Sequence, residues 1–431
     1  MATTWRNWTG DQRCAPVEIA RPESEDELVR VVAGAARQGL KVRAAGSGHS
    51  FTDAACTDGL LVRTDGLRRL ISADRETGLV TVEAGMTLHE LGPLLAREGL
   101  GLENQGDIDV QTVAGALATA THGTGARFGN LSTRVAGMRL VTASGDVVEA
   151  NGGDDLLAAR VSVGALGIAS QVTLQCVPLY TLHRHDAPLP LDETLARLDE
   201  HVEGSDHFEF FLWPYTRIAA TRSTTRSDAE PLPTPRWKRM LQEEVVENGV
   251  LGLVCRGGRA FPSQVPRLNR TIAAAMSESR VQDRGHRVYA TVRRVRFTEM
   301  EYAIPRAHAR EALERCLELV ERRELPILFP FEVRFAAGDD AFLSTAHGRD
   351  TCYIAAHQVR GMEFESFFRG VEAIMDDYGG RPHWGKRHYQ AAATLRERYP
   401  AWDRFQAVRA RLDPDGVFTN DYTRRVLGPV A

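Results

Sequence analysis

The sequence predicts an α+β protein in two principal parts, and three observations carry that prediction. The first 180 residues are rich in Gly, Ala, Val and Thr and alternate short helical patterns with short extended ones. After Tyr180 the chain carries more aromatics, more charge and longer amphipathic segments. Within the first part, three turns of glycine and other small residues, at 46–50, 115–125 and 163–168, permit a large ligand to approach the backbone closely. At 431 residues the chain has a length for two or three domains of roughly 150 residues each, ample for a buried core.

Taken in order, Ser24 followed by Glu27 reads as a capping box, opening a helix whose apolar face is Leu28, Val31, Val32 and Ala35 and whose stop is Gly39. Residues 41–45 read as a buried strand, 60–63 and 79–83 as further strands. Thr87 and Glu90 form a second capping box, for a helix ending at Gly99. A hairpin is expected around Ser144-Gly145, between strands 139–142 and 147–149. A last strand, 168–177, is closed by Pro178. In the second part 227–235, with three prolines, reads as a loop, and 306–324 as a helix with Ala309, Leu313, Cys316, Leu317 and Val320 on one stripe. Strands at 327–335 and 352–358 flank the acidic turn Gly338-Asp339-Asp340.

Composition excludes several function classes. The formal net charge is −4 and its sign alternates along the chain, so there is no basic footprint for nucleic acid. The densest basic cluster is Arg293-Arg294-Val295-Arg296. Six cysteines, at 14, 56, 176, 255, 316 and 352, form no CxxC pair, which removes zinc-ribbon and thioredoxin-like readings and any metal expectation. Scattered thiols fit a reducing compartment. No segment has the roughly 20 apolar residues of a membrane helix and the N-terminus lacks a signal-peptide core, so a soluble cytoplasmic protein is expected.

Gly46, Ser47, Gly48, His49 and Ser50 follow a strand, as an anion-cradling turn does: glycines let successive N–H groups converge and serines add donors. A GxGxxG fingerprint fails for want of the third glycine, and no Lys-Ser/Thr completes a Walker loop. Read alone, the turn is equally an ordinary tight turn with a solvated histidine. Glu332 and Arg334 alternate on an apolar strand and so share a face, which is costly unless they are paired or functional. A satisfied ion pair is the commoner case. The cluster His383 to His388 is, on its own, a charged surface loop.

Three motifs change that balance: VRAAGSGHSFTDAACTDG at 42–59, LENQGDIDVQTVAGALATATHGTG at 102–125 and RPHWGKRHYQ at 381–390. In combination the chain resembles the aldonolactone oxidoreductases of the vanillyl-alcohol-oxidase flavoprotein superfamily, most of all their actinobacterial branch acting on L-gulono-1,4-lactone. The resemblance implies a two-part FAD-binding domain (1–180), an α+β cap or substrate domain (181–405) and a tail (406–431) that returns to the FAD domain. It also implies FAD joined covalently to His49, whose neutral imidazole is a competent nucleophile. Ala45, Gly46, Ser47, Gly48 and Ser50 would hold the pyrophosphate; Gly115, Thr121, His122, Gly123 and Ile168 would line the flavin, with Gly106 and Asp107 near it. His122 is equally able to cap local backbone groups.

On the substrate side the resemblance implies that Arg334 and Lys386 stabilise negative charge developing on the substrate oxygen and on the cofactor, while Glu332 orients the substrate hydroxyl. His388 is a further candidate for proton handling. The implied reaction is oxidation of the lactone at carbon 2, giving ascorbate, with O2 or a redox protein or dye as acceptor. Polyol-oxidising relatives carry Ala then Ser where this chain has Gly106 and Asp107, and the Ser touches substrate; its absence disfavours a linear alditol. A glycine at 106 leaves no side chain to block O2 and so favours an oxidase, although the Asp107 charge opposes this. The competing readings are an alditol oxidase and a flavin-binding module without catalysis. Oligomeric state is not legible.

Overall fold

The computed structural model describes residues 4–235, 249, 251–291 and 294–430. Met1, Ala2 and Thr3, and Arg293 of the basic cluster, lie outside the described residues. Among the described residues no helix is long and apolar enough to cross a membrane.

The first part is built on two sheets. Strands Glu18–Ala20, Leu60–Arg63 and Val42–Ala45 lie side by side in that order, all parallel. Parallel neighbours need a crossover, and helix Glu25–Arg37 supplies it, packing Leu28 and Val32 on Val42, Leu60 and Val62. Its start is fixed as expected: the Ser24 hydroxyl accepts from Glu27 N at 3.2 Å. The Glu27 carboxylate, however, takes the N–H of Glu23 at 2.9 Å. The second sheet is antiparallel and runs Val147–Ala150, Val135–Val141, Ile168–Gln175, Leu79–Glu83, Leu70–Ala73. The strand expected over 168–177 ends at Gln175, because Val177–Pro178 leaves the sheet to pair with Leu100–Gly101.

The second part is organised by one antiparallel sheet of eight strands: Ser279–Arg284, Thr181–Pro190, Ile218–Ser227, His207–Leu212, Phe331–Ala336, Thr351–Val359, Phe297–Pro305 and Arg381–Pro382. One face is apolar. Phe208, Phe210, Phe331, Val333, Ile354, Met300 and Tyr302 pack there against helices Ala309–Arg322 and Glu365–Asp376. The opposite face carries Asp186, Arg222, Glu209, Glu332, Arg334, His357, Glu299 and Glu301, brought into line by the strand register. Both faces are covered, since every residue of Phe331–Ala336 and Thr351–Val359 is buried. The strand expected to begin at 327 begins at Phe331, directly after Pro330, which has no N–H to give a ladder.

The chain then returns. Trp384, Leu395, Tyr399, Trp402, Phe405, Tyr422 and Leu427 share one core with Val80, Leu91, Leu117 and Val172 of the first part. At the parallel sheet, Val42 N donates to Val417 O at 2.9 Å and the Asn420 amide donates to the carbonyls of Asp53, Ala54 and Cys56. The buried Arg43 guanidinium fastens the three pieces, donating to the carbonyls of Ala54, Val163, Gly164 and Phe418 at 2.7–2.8 Å.

Candidate functional site

The three small-residue turns meet. The 46–50 turn, the start of helix Val113–Ala118 and the 163–168 segment line one cleft, together with Ala45 and Ile168. Gly46 is required by close approach, because a Cβ there would collide with the Thr112 hydroxyl, and Gly48 by its φ of +72°. The Ser47 hydroxyl donates to Val110 O. The backbone N–H groups of Ser47, Gly48, His49 and Ser50 have no acceptor among the described residues. An unsatisfied run of donors beside small side chains fits a phosphate-bearing, extended cofactor. His49 stands at the edge of the cleft with the Trp8 ring stacked on it at 4.9 Å, and burial pushes its imidazole down to about 4. It is therefore neutral at physiological pH.

One hydrogen bond ties this turn to the second part: Phe51 N donates to Gly385 O at 2.7 Å. The next residue, Lys386, reaches into a buried polar chamber under the eight-stranded sheet. Its ammonium lies 2.5 Å from Glu299 and 3.0 Å from Glu301. Each of these carboxylates also holds a histidine. His357 Nε2 lies 3.1 Å from Glu299 and its Nδ1 donates to Pro330 O; His122 Nε2 lies 3.1 Å from Glu301 and its Nδ1 donates to Gly123 O. Two strands along from Glu299 and Glu301, beyond the strand of His357, Arg334 pairs with Glu332, with Glu209 at 2.8 Å and with Asp107 at 3.4 Å.

The charges do not balance evenly. Burial pushes the Glu299 carboxyl up, yet Lys386 and His357 outweigh it and hold it at about 2. Glu301 is held well below the usual carboxylate range against its burial, by Lys386 and His122. Burial disfavours the Lys386 charge, but Glu299, Glu301 and Glu332 together keep it above the ordinary lysine value. Burial pushes Glu332 up to about 7, with Arg334 opposing and Asp107 and Glu209 adding. The Arg334 guanidinium is divided among Glu332, Glu209 and Asp107, so it only partly offsets the burial of Glu332. The clusters His122/Glu301/His383 and Glu299/Glu332/His357 have ligand-like spacing for a metal ion, but the Lys386 ammonium already supplies the cation between them.

Among the expected residues, Ala45, Gly46, Ser47, Gly48, His49, Ser50, Gly115 and Ile168 line the cleft. Thr121, His122 and Gly123 lie between cleft and chamber: Thr121 accepts from Gln111, a cleft residue, and His122 stacks on Tyr353 with ring centroids 3.5 Å apart. His122 caps a backbone carbonyl, the plainer of its two sequence readings, and its other nitrogen reaches the chamber. Glu332, Arg334 and Lys386 come together with Asp107. His388 does not join them; its Nε2 meets the Tyr422 hydroxyl at 3.1 Å within the C-terminal core, and burial drives its imidazole far below the usual range. Gly106 packs closely on Thr121 and His122. A Cβ there would meet His122 O at 3.1 Å and the Thr121 methyl at 3.5 Å, so the glycine serves close packing. Sequence reasoning missed Glu299, Glu301, His357 and Glu209. The signal for the first two was present: Glu299 and Glu301 alternate on a strand among Phe297, Met300 and Tyr302, as Glu332 and Arg334 do.

Residues 16–151 match the model of an FAD binding domain, and residues 172–426 match the D-arabinono-1,4-lactone oxidase family model. The chain is 66% identical to the L-gulono-1,4-lactone dehydrogenase of Mycobacterium tuberculosis, over 100% of both chains. It is 33% identical to the L-gulonolactone oxidase of Mus musculus, over 98% of each. Its backbone is similar to that of the cholesterol oxidase from B. sterolicum, with a TM-score of 0.83 at 18% identity, covering 100% of this chain and 97% of that one. That last likeness shows the fold alone; the FAD-binding character of the first part rests on the family model over residues 16–151. Taken with the cleft and the buried cations beside it, these matches show that the chain belongs to the D-arabinono-1,4-lactone oxidase family, the aldonolactone oxidoreductases, and is an FAD-dependent enzyme of that class.

Proposed function

We propose that the enzyme oxidises L-gulono-1,4-lactone at carbon 2, giving a keto-lactone that tautomerises to ascorbate, with FAD covalently attached through His49. The observation that carries the reading is that Lys386 and Arg334 are fixed on one buried face with Glu332 between them. The identity to a relative named for this lactone supports the substrate. The neutral, cleft-facing His49 supports the attachment. Residues 1–180 with the returning tail 406–431 hold the cofactor in this reading, and 181–405 hold the substrate. Six free cysteines fit a cytoplasmic protein.

Oxidation removes a hydride from the carbinol carbon and a proton from its hydroxyl. Bound FAD supplies the two-electron acceptor. Glu332, ionised above about pH 7, accepts the substrate hydroxyl's hydrogen bond, aims it and takes its proton as the hydride leaves. Arg334 and Lys386 stabilise the charge developing on oxygen, and they do so strongly because the carboxylates and the guanidinium around it are buried. The electrons leave to O2 or to a second acceptor.

The test is anaerobic mixing of the purified protein with L-gulono-1,4-lactone and, separately, xylitol, following flavin absorbance. The lactone bleaches the flavin and xylitol does not. Bleaching by xylitol alone turns the reading to an alditol oxidase. Bleaching by neither leaves a flavin-binding protein without this chemistry.

A further inference from the structure

The polar face of the eight-stranded sheet does not stop at Arg334. Glu209 lies directly opposite Arg334 in the ladder, Arg222 opposite Glu209, and Asp186 opposite Arg222. Neighbouring strands are about 4.8 Å apart, so charged groups continue for roughly 14 Å beyond the residues that meet the reacting carbon. This stretch faces protein. A cavity of about 30 Å³ lies under it, bounded by Gln105, Asp107, Glu209, Arg222, Tyr289 and Arg334. One water needs roughly 10–15 Å³, so the space admits a group of one or two heavy atoms and no ring.

One donor in that wall lacks a partner. Gln105 is 4% exposed, and its Nε2 has no acceptor. The groups around it are satisfied. His207 Nδ1 donates to Thr124 O at 2.7 Å, and its Nε2 accepts from the Tyr289 hydroxyl at 2.9 Å, which fixes a neutral ring. Arg222 is bound by Asp186 and Glu209, and Glu209 closes on Arg334. An orphaned buried amide is costly, and Gln105 is one of the residues that line this small space.

We propose that this cavity receives the terminal hydroxymethyl group of the substrate's polyol side chain, and that Gln105 selects for it. The inference rests on the lactone reading above. A six-carbon 1,4-lactone carries a two-carbon tail, whose bonds of about 1.5 Å each carry it along the single strand step from Arg334 to Glu209. The tail hydroxyl accepts from Gln105 Nε2 and donates to the Glu209 carboxylate. An ionised carboxylate offers about four acceptor positions, of which Glu209 spends two on Arg222 and Arg334. A methyl group in the same place would leave the amide unpaired, and sites built for a hydroxyl reject analogues lacking it.

The test compares kcat/KM for L-gulono-1,4-lactone and its 6-deoxy analogue. The native enzyme prefers the parent by at least about 30-fold, and in Gln105→Leu the preference falls below about threefold. Should Gln105→Leu fold poorly, Gln105→Met serves, and the native ratio stands without either variant. Turnover of both lactones alike by the native enzyme overturns the subsite while leaving the lactone reading intact. A preference that survives in the variant overturns the role of Gln105. Incomplete incorporation of flavin in the variant places the amide on the cofactor and overturns it too. Oxidation of neither lactone removes the substrate reading and the subsite with it.

Discussion

The Lys386 ammonium sits 2.5 Å from the Glu299 carboxylate, inside the chamber rather than on the charged surface loop that its neighbours in sequence suggest. The pairing gives Lys386 two separable roles. Toward substrate it is one of two cations beside the developing negative charge; toward the sheet it is the counter-ion of Glu299 and Glu301.

Lys386→Ala and Arg334→Ala are each expected to slow flavin reduction by about 10² or more, the scale of losing one preorganised donor. Lys386→Ala also leaves two facing carboxylates without their cation. Breaking a buried pair costs about 3 kcal/mol or more, so thermal stability falls as well. Adding Glu299→Gln to Lys386→Ala recovers stability and leaves the rate low. Stopped-flow reduction and thermal melts on the three proteins separate the roles. Reduction at the native rate in both single variants would return these residues to a purely structural pairing.

Much of the first part was legible in the sequence because its signals are local. Ser24, Thr87 and the glycines at 39 and 99 act within one or two turns of where they stand, and the helices end as those residues dictate. The large sheet was less legible. Both faces of 297–305 and 351–359 are buried, so neither strand has the wet face that patterning relies on; the sequence still marks 352–358 as a strand, while it does not mark 297–305. Glu332 and Arg334 stood out as charges in an apolar run. Glu299 and Glu301 carry the same signature and were passed over because their strand was. Nothing local marks Arg43, whose carbonyl partners stand at 54, 163, 164 and 418. His388 was grouped with Lys386 by proximity in sequence. The turn closed by Lys386 N to His383 O at 2.9 Å separates them, and sends His388 to Tyr422.

The attachment of the flavin is tested by acid precipitation. The native protein gives a yellow pellet, and His49→Ala releases FAD to the supernatant. A pellet that stays yellow in the variant moves the attachment to another residue.

Glu332 sets the pH dependence. Its carboxyl in the folded chain is pushed up to about 7 from an ordinary 4.5, chiefly by burial. The folded protein therefore keeps a proton that the unfolded chain gives up. The stability this provides is complete below pH 4.5 and is lost as pH rises through about 7. Activity runs the other way, because the ionised carboxylate is the form that accepts the substrate hydroxyl. The rate of flavin reduction is expected to rise about tenfold per unit below pH 7 and to level off above it. Glu332→Gln should be slow and flat over the same range. A native profile without an acid limb would show that Glu332 works in its protonated form.

The last expectation concerns Gly106 and the choice of electron acceptor. A missing side chain beside the flavin edge suggests room for O2, and from sequence alone Gly106→Ala should close that room and slow reoxidation by air. The backbone argues against it. The direction a Cβ would take at Gly106 points at the His122 carbonyl, 3.1 Å away, with the Thr121 methyl behind it at 3.5 Å. An alanine would occupy space that is already closed and would press on the peptide after His122 by a few tenths of an ångström. His122 holds Glu301 through Nε2, and Glu301 holds Lys386. The strain is therefore delivered to the substrate side of the site. Gly106→Ala is expected to change the rate at which air reoxidises the reduced enzyme by less than about threefold, and to lower the rate of reduction by substrate more than that. Stopped-flow measurement of the two half-reactions distinguishes the outcomes. A variant that is reduced normally, yet persists in its reduced form under air where the native enzyme does not, would show that the space beside Gly106 is the path O2 takes.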